Sequence, residues 1–187
     1  DEAMLHTSTL HHFEGFPENA PPMAILSAML NVLACQHPEL LRIETEDQLL
    51  LGSAKLMSKV RTIAASAYRK SRGLPFNDPH PEYKYCENFL HMMFSMPHKP
   101  YVVHPDIERA LNLFLILHAD HEQNCSTSTV RIVGSAHTNL FTSVSAGVCA
   151  LWGPLHGGAN LEVVQMLEDI RKTGKSPKEF VERAKDK

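Results

Sequence analysis

Nowhere in its 187 residues does this chain sustain the strict apolar/polar alternation that a half-buried strand requires, while helix start and stop signals recur from end to end. The valine-bearing stretches 102–103 and 130–133 are too short to compete. The pattern therefore predicts an all-α fold. Residues 23–35 (MAILSAMLNVLAC) are apolar almost all the way round, which predicts burial in a core or a subunit interface. Thr45-Glu46-Asp47-Gln48 reads as a capping box, and Lys70, Arg72 and Gly73 as a cationic last turn with a glycine stop. Between them a helix from about residue 46 to 71 is expected, with Gly52 as the one point where it could break. Pro75, Pro79 and Pro81 impose a loop, after which 83–95 carries a stripe of Phe89, Leu90, Met93 and Phe94 facing the core. Pro105 opens a helix to about residue 121, with Ile107, Ala110, Leu111, Phe114 and Leu117 on its buried side. Residues 124–129 are hydroxyl-rich, two apolar-patterned segments flank Gly153-Pro154, and Ser176-Pro177-Lys178-Glu179 caps a short final helix. No internal repeat and no linker divides residues 1–187, which read as one segment.

Composition removes several classes of function. Hydrophobic residues at 43% and charged residues at 21% exclude full disorder, and 18 basic against 21 acidic residues leave no global field to hold nucleic acid or an anionic membrane. The apolar runs, such as 113–117, are too short to cross a bilayer, and no leader opens the chain, so a soluble cytoplasmic protein is expected. Cys35, Cys86, Cys125 and Cys149 are scattered, which predicts reduced and mostly buried thiols rather than disulfides or a zinc knuckle.

Two constellations could carry chemistry. In HADHEQN, residues 118–124, His118 and His121 share one face of a helix end, where two imidazoles could hold an anion or a metal. The zincin orders place the glutamate differently from Glu122, and the plainer reading is that both rings cap helix carbonyls. In LWGPLHGGAN, residues 151–160, His156 sits in a glycine-rich turn ahead of a helix expected to begin near Ala159 or Asn160. Gly157-Gly158 lets a substrate approach the main chain, and the positive helix end favours a neutral imidazole that donates N–H to a carbonyl. Such a group is an electrophile for enolisation. The plainer reading is an inter-helix turn with an incidental histidine.

These blocks resemble signatures of citrate synthase, particularly the bacterial type II form: HADHEQNCSTSTVRIVGS (118–135) and ALWGPLHGGAN (150–160) stand in the family's order and separation. Weaker similarity covers NFLHMMFSMPHKPY (88–101) and FVERAKDK (180–187). The resemblance implies condensation of acetyl-CoA with oxaloacetate to citrate and CoA, by enolisation, attack on the ketone and thioester hydrolysis. It implies that His156 polarises the acetyl carbonyl, that His121 binds oxaloacetate, and that His118, Asn124 and Gly157 are site neighbours. No cofactor or metal is implied, since acetyl-CoA is a substrate. The family's carboxylate base, second catalytic histidine and oxaloacetate-binding arginines are not matched. The chain is therefore expected to be an interior segment of the large helical domain, inactive alone. A homodimer or higher homo-oligomer is also implied, with residues 23–35 and 139–152 as candidate interfaces.

Three alternatives stay open at this point. One is 2-methylcitrate synthase, which would use propionyl-CoA with the same machinery. Another is a non-catalytic helical assembly module, and the third a metal-dependent hydrolase built on His118 and His121.

Overall fold

The computed structural model describes residues 2–119, 122–174 and 176–185, the side chains of 183 and 184 excepted. Among the described residues every regular element is helical, and the nearest approach to a sheet is an isolated bridge between Met96 and Lys99. The all-α expectation holds. The helices gather in two units, residues 1–149 and 150–187.

The first unit runs α1 (Thr7–His11), α2 (Pro22–Gln36), α3 (Glu46–Ser71), α4 (Tyr85–Phe94), α5 (Pro105–Ala119), α6 (Cys125–Gly134) and most of α7 (Leu140–Leu151). The capping box that predicted the start of α3 is formed: the Gln48 amide donates to Thr45 Oγ1, and the Thr45 amide to Gln48 Oε1, each at 3.2 Å. Gly73, with φ of +63°, ends the helix where an L side chain would be strained. Gly52 does not break α3. It is buried, and a Cβ there would lie 3.3 Å from Leu140 Cδ2, so this glycine lets α7 approach an uninterrupted helix.

The core sits between α2 and α3. Ile25, Met29, Leu30 and Leu33 of α2 pack with Leu56, Ile63 and Ala67 of α3, joined by Phe13, Leu40 and Phe141. The N-terminal segment is tied down on α3, where Thr62 Oγ1 donates to the Ala3 carbonyl (2.8 Å) and Lys59 Nζ to that of Met4 (2.7 Å). α2 meets α7 through a polar seam: Asn31 Nδ2 donates to Ser145 Oγ (2.8 Å), and Ser145 Oγ to the Ser27 carbonyl (2.7 Å).

At the far end of α3, the fully buried Arg69 gathers the proline-rich loop. Its guanidinium donates to the carbonyls of Pro75, Met93 (3.1 Å) and Ser95 (2.9 Å), while Asn77 Nδ2 donates to those of Met92 (3.1 Å) and Ser95 (2.8 Å). His91 Nδ1 lies 2.9 Å from Ser95 Oγ, which also accepts the Tyr101 amide. His80 stacks on Tyr83, whose ring meets His91 edge-on.

Three further expectations are corrected. The apolar face of α5 is uncovered: Ile107, Phe114 and Leu117 are exposed, Leu117 by 72%. α5 approaches α4, with Cys86 Sγ 3.9 Å from Asn112 Oδ1, yet on α5 only Glu108 and Leu111 are half-buried. On α4 the inward residues are Cys86, Asn88, Leu90 and Met92, while Phe94 is exposed, because Asn88 turns in to bond the backbone of His80. Of the four cysteines only Cys86 is buried.

The second unit holds the last turn of α7, then α8 (Gly157–Thr173) and α9 (Pro177–Lys185). Gly174, at φ of +65°, closes α8. Leu155 is 98% exposed, and Leu161, Val164 and Leu167 of α8 also face solvent.

Candidate functional site

α5 carries His118 in its last turn, as the sequence spacing requires. The ring is exposed, its Nδ1–H donates to the Phe114 carbonyl at 2.7 Å, and it packs against the Phe114 ring at a centroid distance of 4.2 Å. A proton committed to that carbonyl makes Nε2 the atom with which His118 can meet a ligand. His121, assigned to oxaloacetate by resemblance, lies outside the described residues.

Asn124 is the N-cap of α6. Its Oδ1 accepts the Thr127 amide at 2.9 Å, which leaves the carboxamide N–H donors as the end suited to an anionic or carbonyl ligand. Beyond it Gln123 Nε2 donates to Ser128 Oγ at 3.1 Å, so the chain leading into α6 is held by its own side chains. Ser126 Oγ donates to the Gly147 carbonyl of α7 at 2.9 Å.

His156 lies in the second unit at the N-cap of α8. Its amide donates to the Gly153 carbonyl (3.0 Å), and its own carbonyl accepts the Ala159 amide (3.2 Å), so the residue closes a tight turn and opens the helix together. The side chain is half-buried and does not cap the helix. A histidine whose backbone is bonded on both sides, at a helix start without acidic residues in its first turn, is placed where an imidazole N–H could serve an oxygen gaining charge.

The two glycines that follow differ. A Cβ on Gly157 would collide with the carbonyl of Leu151, whereas one on Gly158 would make ordinary contacts, 3.4 Å from the Gly153 carbonyl oxygen and 3.5 Å from Pro154 Cβ. Gly157 is thus demanded by the turn that carries His156. The Gly147 whose carbonyl accepts Ser126 lies in SVSAG, 143–147, a run of mostly small residues not singled out in the sequence. No group of three or more His, Cys, Asp or Glu able to hold a metal ion forms among the described residues.

The chain belongs to the citrate synthase family: the family described as "Citrate synthase, C-terminal domain" matches residues 1–187. It is 50% identical over 184 residues to Citrate synthase 1 of Mycobacterium tuberculosis (strain ATCC 25618 / H37Rv), covering 98% of this chain and 43% of that protein. To citrate synthase of Corynebacterium glutamicum it is 45% identical over 192 residues, covering 100% of this chain and 44% of that protein. The crystal structure of citrate synthase from Pyrobaculum aerophilum superposes with a TM-score of 0.75 at 34% identity, over 90% of this chain and 43% of that one. The chain thus spans less than half the length of the curated relatives it matches.

Proposed function

We propose that the protein carrying these residues is a citrate synthase, condensing acetyl-CoA with oxaloacetate to citrate and CoA. The observation that carries this reading is His156, held at a helix start by backbone bonds on both sides, within a chain that matches the family from residue 1 to 187. Removal of the acetyl α-proton drives charge onto the thioester oxygen. An imidazole N–H aimed at that oxygen is worth more to the enolate than to the substrate, which is what accelerates the step. The enolate carbon then attacks the oxaloacetate ketone, and water hydrolyses the thioester to release CoA. His121, His118 and Asn124 orient oxaloacetate in this reading, and Gly157 sets the turn.

No cofactor beyond the acetyl-CoA substrate is required, and the setting is the tricarboxylic acid cycle in the cytoplasm. The uncovered apolar faces of α5 and α8 support assembly as a homodimer or higher homo-oligomer. The carboxylate base and the oxaloacetate-binding arginines are unmatched in these residues, so turnover is expected from the native gene product and not from the 187-residue chain alone.

The test is CoA thiol release from acetyl-CoA and oxaloacetate by the native gene product, with a propionyl-CoA arm. His156→Ala is expected to lower kcat by at least about 100-fold. An active His156→Ala enzyme would overturn the role of His156, and a silent native product the reading as a whole.

A further inference from the structure

We infer that Gly147 is a positioning residue for the oxaloacetate side of the site, acting by setting how closely α6 lies on α7. The inference rests on the citrate synthase reading and concerns a residue outside both signature histidines.

α6 is a ten-residue helix with no fully buried side chain, so its own packing does little to fix where it lies. What holds it is a close approach to α7. There the Ser126 hydroxyl donates to the Gly147 carbonyl at 2.9 Å, and the Cα of Gly147 faces Val130 with no room for another atom. A Cβ on Gly147 would lie 2.6 Å from Val130 Cγ2 and 3.4 Å from the Ser126 carbonyl oxygen. Two carbons rest about 3.5–4.0 Å apart, so about 1 Å of separation would have to be found. Valine in a helix holds one strongly preferred rotamer and cannot swing aside. The separation must therefore come from the helices.

α6 is the element that yields. α7 is anchored by buried Phe141, Ser143 and Ser145 and by the polar seam to α2, whereas no residue of α6 is fully buried. Its N-cap is Asn124, the last residue of the HADHEQN segment, so a shift of α6 is a shift of that segment's C-terminal end. A misplacement of 1 Å can cost about 100-fold where groups must be held in near-attack geometry.

The experiment compares Gly147→Ala, Val130→Ala and the double variant with the unmutated native gene product, measuring KM for each substrate, kcat and Tm. For Gly147→Ala the KM for oxaloacetate is expected to rise at least about ten-fold, while that for acetyl-CoA stays within about two-fold. Val130→Ala removes the obstructing methyl, so the double variant should recover to within about three-fold of the unmutated enzyme. A fold-stabilising role alone would lower Tm without separating the two KM values. An unchanged oxaloacetate KM in folded Gly147→Ala, or equal rises in both KM values, overturns the inference. So does failure of the double variant to fold or to recover. Silence of the unmutated protein would instead overturn the citrate synthase reading, and this inference with it.

Discussion

α2 and α5 are each fifteen residues long, each opens on a proline, and each is rich in apolar residues, yet α2 buries Ile25, Met29, Leu30, Leu33 and Ala34 while α5 fully buries none of its side chains. The difference lies in the surroundings. α2 has α3 along its length and α7 across its polar seam, whereas α5 touches α4 near Asn112 and leaves residues 113–117 open. An apolar stripe records a demand for burial without naming the surface that meets it.

The sharpest way to break that comparison is truncation. Leu30→Ala in α2 should destabilise the fold by about 2–5 kcal/mol, since it removes a fully buried side chain and leaves a cavity. Leu117→Ala should change the stability of the 187-residue chain by less than about 0.5 kcal/mol. Urea unfolding of both variants checks the pair. Equal losses would mean that α5 is covered in solution.

A somewhat smaller effect is expected at the Arg69 hub. Arg69→Met keeps much of the volume but leaves the carbonyls of Pro75 and Met93 without their Arg69 donor and that of Ser95 with Asn77 alone, at a cost of about 1–3 kcal/mol. Hydrogen exchange should then quicken in residues 74–84, and unchanged exchange would show that Arg69 does not hold the loop.

Smaller again is the pH response of the same region. Burial, with His80 and Arg69 beside it, holds the His91 imidazole below its ordinary value, while Glu87 pulls weakly the other way. As pH falls below about 6.5 the unfolded chain takes up this proton before the native one does. The associated stability is therefore complete above that pH and is lost as pH falls toward the lowered native value. Solvent access limits the effect to about 1 kcal/mol or less, or about 2–4 °C in Tm at this length. His91→Asn should flatten the Tm profile between pH 7 and 5.5, and an unchanged slope would assign it to other groups.

Much of this fold was legible in the sequence wherever a local signal decided it. Thr45 with Gln48 placed the start of α3, Gly73 its end and Pro105 the start of α5, because caps and φ restrictions act within a few residues. Contacts across the chain were not legible. Gly52 reads as a helix breaker until Leu140 is seen against it, and Arg69 reads as one more cation of a last turn until three distant carbonyls converge on it. On α4 the inward face includes Met92 rather than Met93, since Asn88 finds its partner in the His80 backbone. In the candidate site, a turn at His156 ahead of a helix was legible from its glycines, but the helix starts at Gly157 rather than near Ala159 or Asn160. The stricter demand at Gly157 than at Gly158 was not, because it depends on a carbonyl six residues upstream.

α3 also has a consequence for how such a chain can change over generations. It is an unbroken helix of 26 residues, about 39 Å long, that holds Lys59 and Thr62 to the N-terminal segment and Arg69 to the proline-rich loop. Inserting or deleting a single residue between Thr62 and Arg69 would turn the Arg69 end of the helix by about 100° against the end that holds the N-terminal segment, so the two sets of contacts could no longer be made together. Substitutions along this strut can be absorbed one at a time, but its length behaves as a fixed quantity. Gaps in the history of this segment belong in the loops at its two ends.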